Sequence, residues 1–129
     1  MTIIPKYHAN YLFYTSHASL IGGLYAFYKG TPNCVYPFIV YLASINYWRN
    51  PVLGWRRNID IATACICVTC QTISVRNHPN FNQYIITMFL GTLFYPVSEY
   101  LRYKNFMHLS TLSHSMIHIV CNIANYLLV

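Results

Sequence analysis

The chain has 129 residues, enough for one domain (1–129), and 56% of them are apolar, only 8% are charged and the formal net charge is +6. A soluble domain covers its surface with about 25% charged residues, so this composition argues for an all-α, polytopic transmembrane protein partnered by the lipid bilayer. The basic residues form no dense run, which sets nucleic acid aside as a partner, and the five cysteines make no disulfide framework.

A spanning helix needs about 20 apolar residues. The first candidate covers about 9–28, interrupted by Ser16-His17 and Gly22-Gly23, and the breakers Lys29-Gly-Thr-Pro-Asn33 end it. No small-residue cleavage site closes this run, so the helix is expected to act as its own insertion signal. A shorter second segment, 35–48, contains Pro37 and is the one whose full crossing is in question. The basic loop Arg49 to Arg57 follows, and Asn58 is expected to cap a third helix over 59–75, with Asp60 in its first turn. Cys67-Val-Thr-Cys70 in that helix has metal or redox spacing but no second pair, which favours packing. The turn Arg76-Asn-His-Pro-Asn80 leads to a fourth helix, 83–101, with Pro96 inside it, and a fifth covers 107–128.

Five spans put Lys6, Arg49, Arg56, Arg57, Arg102 and Lys104 on one side and only Lys29 and Arg76 on the other. The excess of basic residues places the N-terminus in the cytoplasm. Thirteen Tyr and two Trp suit interfacial belts, where an amphipathic ring lies half in lipid.

The fifth helix carries an anomaly. Thr111, His114, His118, Asn122 and Asn125 recur every three or four residues and so share one face. Polar groups of this kind are costly against lipid and normally face a bundle interior, a cavity or a site. At about 1.5 Å of rise per residue, His17, Ser44, His114 and His118 come to similar levels in the cytoplasmic half, with Asp60 somewhat shallower. One reading is interhelical hydrogen bonding, and Asn122 and Asn125, alone in the outer half, fit it. Three chemistries compete with it for the histidines. They are a zinc site with His114, His118 and a third ligand such as His17; a haem held between His17 and His114 or His118; and a proton or ion path.

The segments Ala43-Ser44-Ile-Asn-Tyr47-Trp48, Arg57-Asn-Ile-Asp60 and Ser113-His114-Ser-Met-Ile-His118 resemble the membrane hydrolase and receptor superfamily of the alkaline ceramidases and the progestin/adipoQ receptors. The resemblance implies a seven-helix fold with zinc held by three histidines in the cytoplasmic half. Ser44, Asp60, His114 and His118 match the family pattern, and His114 and His118 would be metal ligands, Asp60 the group orienting water and Ser44 an oxyanion partner. Trp48 stands where the family has its first zinc-binding His, and five expected spans are two fewer than seven.

Two functional classes follow. In the first, the chain is a small multi-pass membrane protein with a structural or assembly role, packing against itself or other membrane subunits, its polar stripe serving helix–helix packing. In the second, it is a ceramidase-like, zinc-dependent lipid amidohydrolase or a degenerate relative, with a haem-binding subunit as a further alternative.

Overall fold

A computed structural model describes residues 4–129, so the first three residues of the 1–129 unit lie outside the described residues. The described chain is all-α, with helices α1 (Lys6–Thr15), α2 (His17–Tyr28), α3 (Val35–Trp48), α4 (Trp55–Ser74), α5 (Phe81–Tyr103) and α6 (Met107–Tyr126), and one 3₁₀ turn, Pro32–Cys34, before α3. Among the described residues, no helix is long and apolar enough to cross a membrane.

The expected helix 9–28 begins earlier and is divided at Ser16. Three consecutive side chains there turn back onto carbonyls of their own helix: Thr15 Oγ1 and Ser16 Oγ donate to Leu12 O (3.2 and 2.8 Å), and His17 Nδ1 lies 3.1 Å from Phe13 O. Such back-bonding competes with the helical ladder and bends it, so α1 and α2 follow one another with only Ser16 between them. The α2 helix then ends on Gly30, whose φ of 70° suits a residue without Cβ, while Thr31 N bonds to Ala26 O at 3.0 Å.

The expected start of the third helix is corrected by a full turn. Gly54, at φ 138°, makes the entry and Trp55 begins α4, so Asn58 is an interior residue whose N–H already bonds to Gly54 O at 3.2 Å. Asp60 therefore lies beyond the first turn, where the helix dipole no longer favours its charge, and its carboxylate finds another partner, described below. The α5 helix runs two residues past the expected 83–101 at each end and passes through Pro96, while the expected 107–128 ends at Tyr126. Asn105, with φ 63°, makes the tight turn between α5 and α6.

The most extensive pairing is α5 against α6, followed by α3 against α4 and α2 against α3, with α1 and α2 both packed on α6. Apolar residues are buried in two separate clusters. One gathers Ile4, Ala9, Leu12, Tyr47 and Trp48 at the start of α6; the other gathers Val75, Tyr84, Met88, Ala124 and Leu128 at its end. Between them the interior is polar: Ser16, Ser19, Ser44, Gln71, Ser98, Ser115, His118 and Asn122 are all buried. The α4 and α5 helices are bridged by side chains near both ends, Arg57 Nη2 donating to Tyr95 Oη (3.2 Å) and Thr72 Oγ1 meeting Tyr84 Oη (3.3 Å).

Candidate functional site

Polar residues of α3, α4, α5 and α6 converge on one cavity of about 470 Å³, bordered by Ser44, Asp60, Tyr95, His114, His118 and Asn122. Four helices bring them there by turning polar positions inward, and α6 contributes three of the six. Ser44 Oγ donates to Asp60 Oδ1 at 2.7 Å, which gives the half-buried carboxylate the partner it lost by lying deeper in α4. His114 and His118, one turn apart on α6, hold their ring centroids 5.5 Å apart. His114 Nδ1 lies 3.4 Å from Ser98 Oγ on α5, and the Tyr95 ring stands edge-on to the same imidazole at 6.2 Å.

Trp48 closes this corner. Its ring meets His114 edge-to-face with centroids 5.0 Å apart, and Ala9, Leu12 and Tyr47 cluster with it. Two buried nitrogens here have no hydrogen-bond partner among the described residues, Trp48 Nε1 and His118 Nε2. Unsatisfied buried polar groups are uncommon and each calls for a reason.

The far half of the stripe meets other helices. Asn122 Nδ2 donates to Ser19 Oγ of α2 at 3.0 Å and to His118 O at 2.6 Å, while Gln71 of α4 donates to Asn125 Oδ1 at 3.0 Å. Asn125 in turn donates to Asn122 Oδ1 at 3.3 Å, which makes one chain of amides across α2, α6 and α4.

His17 is not brought to the histidine pair. Its Nδ1 faces the carbonyls of Phe13 and Tyr14, its ring packs on Phe13 and Tyr41, and it does not border the cavity. It is therefore misplaced both as a third zinc ligand and as an axial haem ligand. Among the described residues, no three His, Cys, Asp or Glu side chains are placed to hold one metal ion.

Sequence reasoning missed Tyr95 and Ser98 as neighbours of the site, since one Tyr among thirteen carries no signal of its own. It also missed the seat of the N-terminal helix. His8 Nδ1 lies 2.8 Å from Thr111 Oγ1 and its ring stands 4.8 Å from that of His108, with Tyr7 edge-on at 5.4 Å. Burial first, and His108 second, lower the pKa of His8 below the ordinary histidine value. The unfolded chain then binds more protons than the folded one below about pH 6.5. Stability held at neutral pH is lost as the pH falls through that value toward the lowered one. Melting temperature should drop between about pH 7.5 and 5.5, and His8→Leu should make that drop smaller; an unchanged drop in the variant would assign the acid sensitivity elsewhere.

Compared with family models, with curated proteins and with solved structures, the chain matches none.

Proposed function

We propose that this chain is an integral, multi-pass membrane protein with a structural or assembly role, a helical bundle held together by polar groups turned inward. One observation carries the reading: the distribution of polarity is inverted relative to a water-soluble domain. Leu42, Ile66, Ile86 and Phe89 are 59–63% exposed, whereas Ser16, Ser115, Gln71 and Asn122 are at most 4% exposed. Water would drive the first set inside and solvate the second. Hydrocarbon removes the penalty on the first and makes internal hydrogen bonds obligatory for the second.

The same inversion accounts for the modest average apolarity of the long helices α4, α5 and α6. In α6 the inward positions Ser110, Thr111, Ser113, Ser115, His118 and Asn122 are buried, while Leu109, Leu112, Ile119 and Ile123 are exposed. An average over all faces mixes the two sets and falls, although the outward face is apolar. The lengths of α4, α5 and α6, 20, 23 and 20 residues, correspond to about 30 Å or more of helix, close to the hydrocarbon thickness. The excess of basic residues on the N-terminal side supports a cytoplasmic N-terminus.

Membrane fractions from cells expressing the chain should retain it after extraction with alkaline carbonate. Recovery in the soluble fraction, as a monodisperse species without detergent, would refute the reading.

A second reading is as a relative of the alkaline ceramidase and progestin/adipoQ receptor superfamily. The convergence of Ser44, Asp60, His114 and His118 on one cavity favours it. Zinc chemistry of the kind that family implies does not fit the residues present. Two imidazoles are in place, but the third position of the corner holds the indole of Trp48, which has only an N–H to donate and no lone pair to give a metal. The relationship is therefore proposed for a non-hydrolytic member.

A further inference from the structure

We infer that Trp48 is the single residue that keeps the His114/His118 corner from binding zinc, and that replacing its indole with a ligating side chain is sufficient to create the site. The argument is one of spacing and lone pairs. Two imidazoles on one tetrahedral zinc, each with a Zn–N distance of about 2.0 to 2.1 Å, hold their ring centroids roughly 5 Å apart. His114 and His118 already stand 5.5 Å apart, and Trp48 stands 5.0 Å from His114. The three rings thus have close to the mutual spacing that a three-ligand site needs on two of their edges.

What differs is chemistry. His118 presents a buried Nε2 with no partner among the described residues, the state in which an imidazole nitrogen can accept a metal. Trp48 presents a buried and equally unpartnered Nε1–H, a donor where a lone pair is required. Asp60 borders the same cavity with its carboxylate held by Ser44 at 2.7 Å, and a carboxylate beside a metal site customarily orients its ligands or bound water through hydrogen bonds. The corner is one substitution from being closed.

This inference rests on the reading of the histidine pair as the remnant of a metal corner, and it stands apart from the membrane reading, which the carbonate extraction tests by itself. The experiment is elemental analysis of detergent-purified protein equilibrated with zinc and then dialysed, supported by the visible absorption of cobalt(II) substituted for zinc. The natural chain and Trp48→Phe should retain no stoichiometric metal. Trp48→His should retain about one equivalent with a tetrahedral cobalt spectrum, and adding His114→Ala and His118→Ala should abolish both signals. Trp48→Cys, a smaller side chain that also ligates zinc, serves as the second route should the histidine variant fail to fold. Zinc in the natural chain that is lost in His114→Ala/His118→Ala would overturn the inference, because the corner would then be complete without residue 48. Folded Trp48→His and Trp48→Cys proteins that both remain metal-free would overturn it as well.

Discussion

Gly91→Val should separate α6 from α5 and be the most damaging small substitution in the chain. A Cβ at position 91 would lie 2.6 Å from Cys121 Sγ, 3.2 Å from the Cys121 backbone nitrogen and 3.3 Å from Val120 Cγ1. The sulfur can rotate away, but the backbone nitrogen belongs to α6 itself and moves only if the helix does. Small residues at a helix–helix contact permit such an approach, and in the membrane bundle proposed above, where no hydrophobic force drives helices together, the lost packing would be a large share of what holds the pair. Overpacking of this kind costs about 1 to 3 kcal/mol, and a β-branched residue belongs at the upper end. Thermal unfolding in detergent micelles is the measurement, with Gly91→Ala as the graded comparison. Cys121→Ala should restore part of the stability lost in Gly91→Ala, by removing the closest contact, and little of that lost in Gly91→Val. Full tolerance of valine would mean that α5 and α6 do not pack as closely as described. Gly23 supplies a contrast, since the nearest atoms to an added Cβ there belong to the ring of Phe38, at 3.1 Å, and a side-chain ring can swing aside.

How much of this was legible in the sequence depends on which coordinate is asked for. Position along a helix axis was. The α3 helix has the expected limits, Val35 to Trp48, because the Pro32 turn and the Arg49-Asn-Pro run bracket it with residues that cannot continue a helix. Depth also brought Ser44, His114, His118 and Asp60 to neighbouring levels, and they border one cavity. Rotation about the axis was not legible. His17 turns to the carbonyls of Phe13 and Tyr14 and does not border that cavity, because the back-bonded stretch Thr15-Ser16-His17 interrupts the helix whose phase would have predicted its direction. Nor was the start of α4 legible, since Trp55-Arg56-Arg57 reads as a loop by charge, and only Gly54, at positive φ, shows that the helix begins with it. The indole at position 48 marked a departure from a ligand pattern, but its edge contact with His114 is a tertiary fact.

The second large effect is expected at Asn122, where the stripe ties α6 to α2. Its amide donates to Ser19 Oγ at 3.0 Å and accepts from Asn125 at 3.3 Å, and it is buried. Asn122→Leu keeps the branched outline, with four side-chain heavy atoms, but leaves the Ser19 hydroxyl and the Asn125 amide without that partner. A buried polar group left unsatisfied costs about 1 to 3 kcal/mol, while interhelical hydrogen bonds measured by double-mutant cycles in a membrane average about 0.6 kcal/mol with a maximum near 1.7. The gap between the figures arises because an unfolded-in-membrane chain finds other partners, so a loss of about 1 to 2 kcal/mol is expected here. A cycle of Ser19→Ala and Asn122→Leu should show a coupling of about 0.6 to 1.7 kcal/mol; additive losses would mean that the two residues do not bond. Gly22 gives an independent check on the same contact, since a Cβ there would come within 2.8 Å of Asn122 Oδ1. Gly22→Ala should therefore be destabilising in the natural chain and nearly silent beside Asn122→Ala, where the oxygen is gone. An equal cost of Gly22→Ala in both backgrounds would show that α2 approaches α6 through some other pair of atoms.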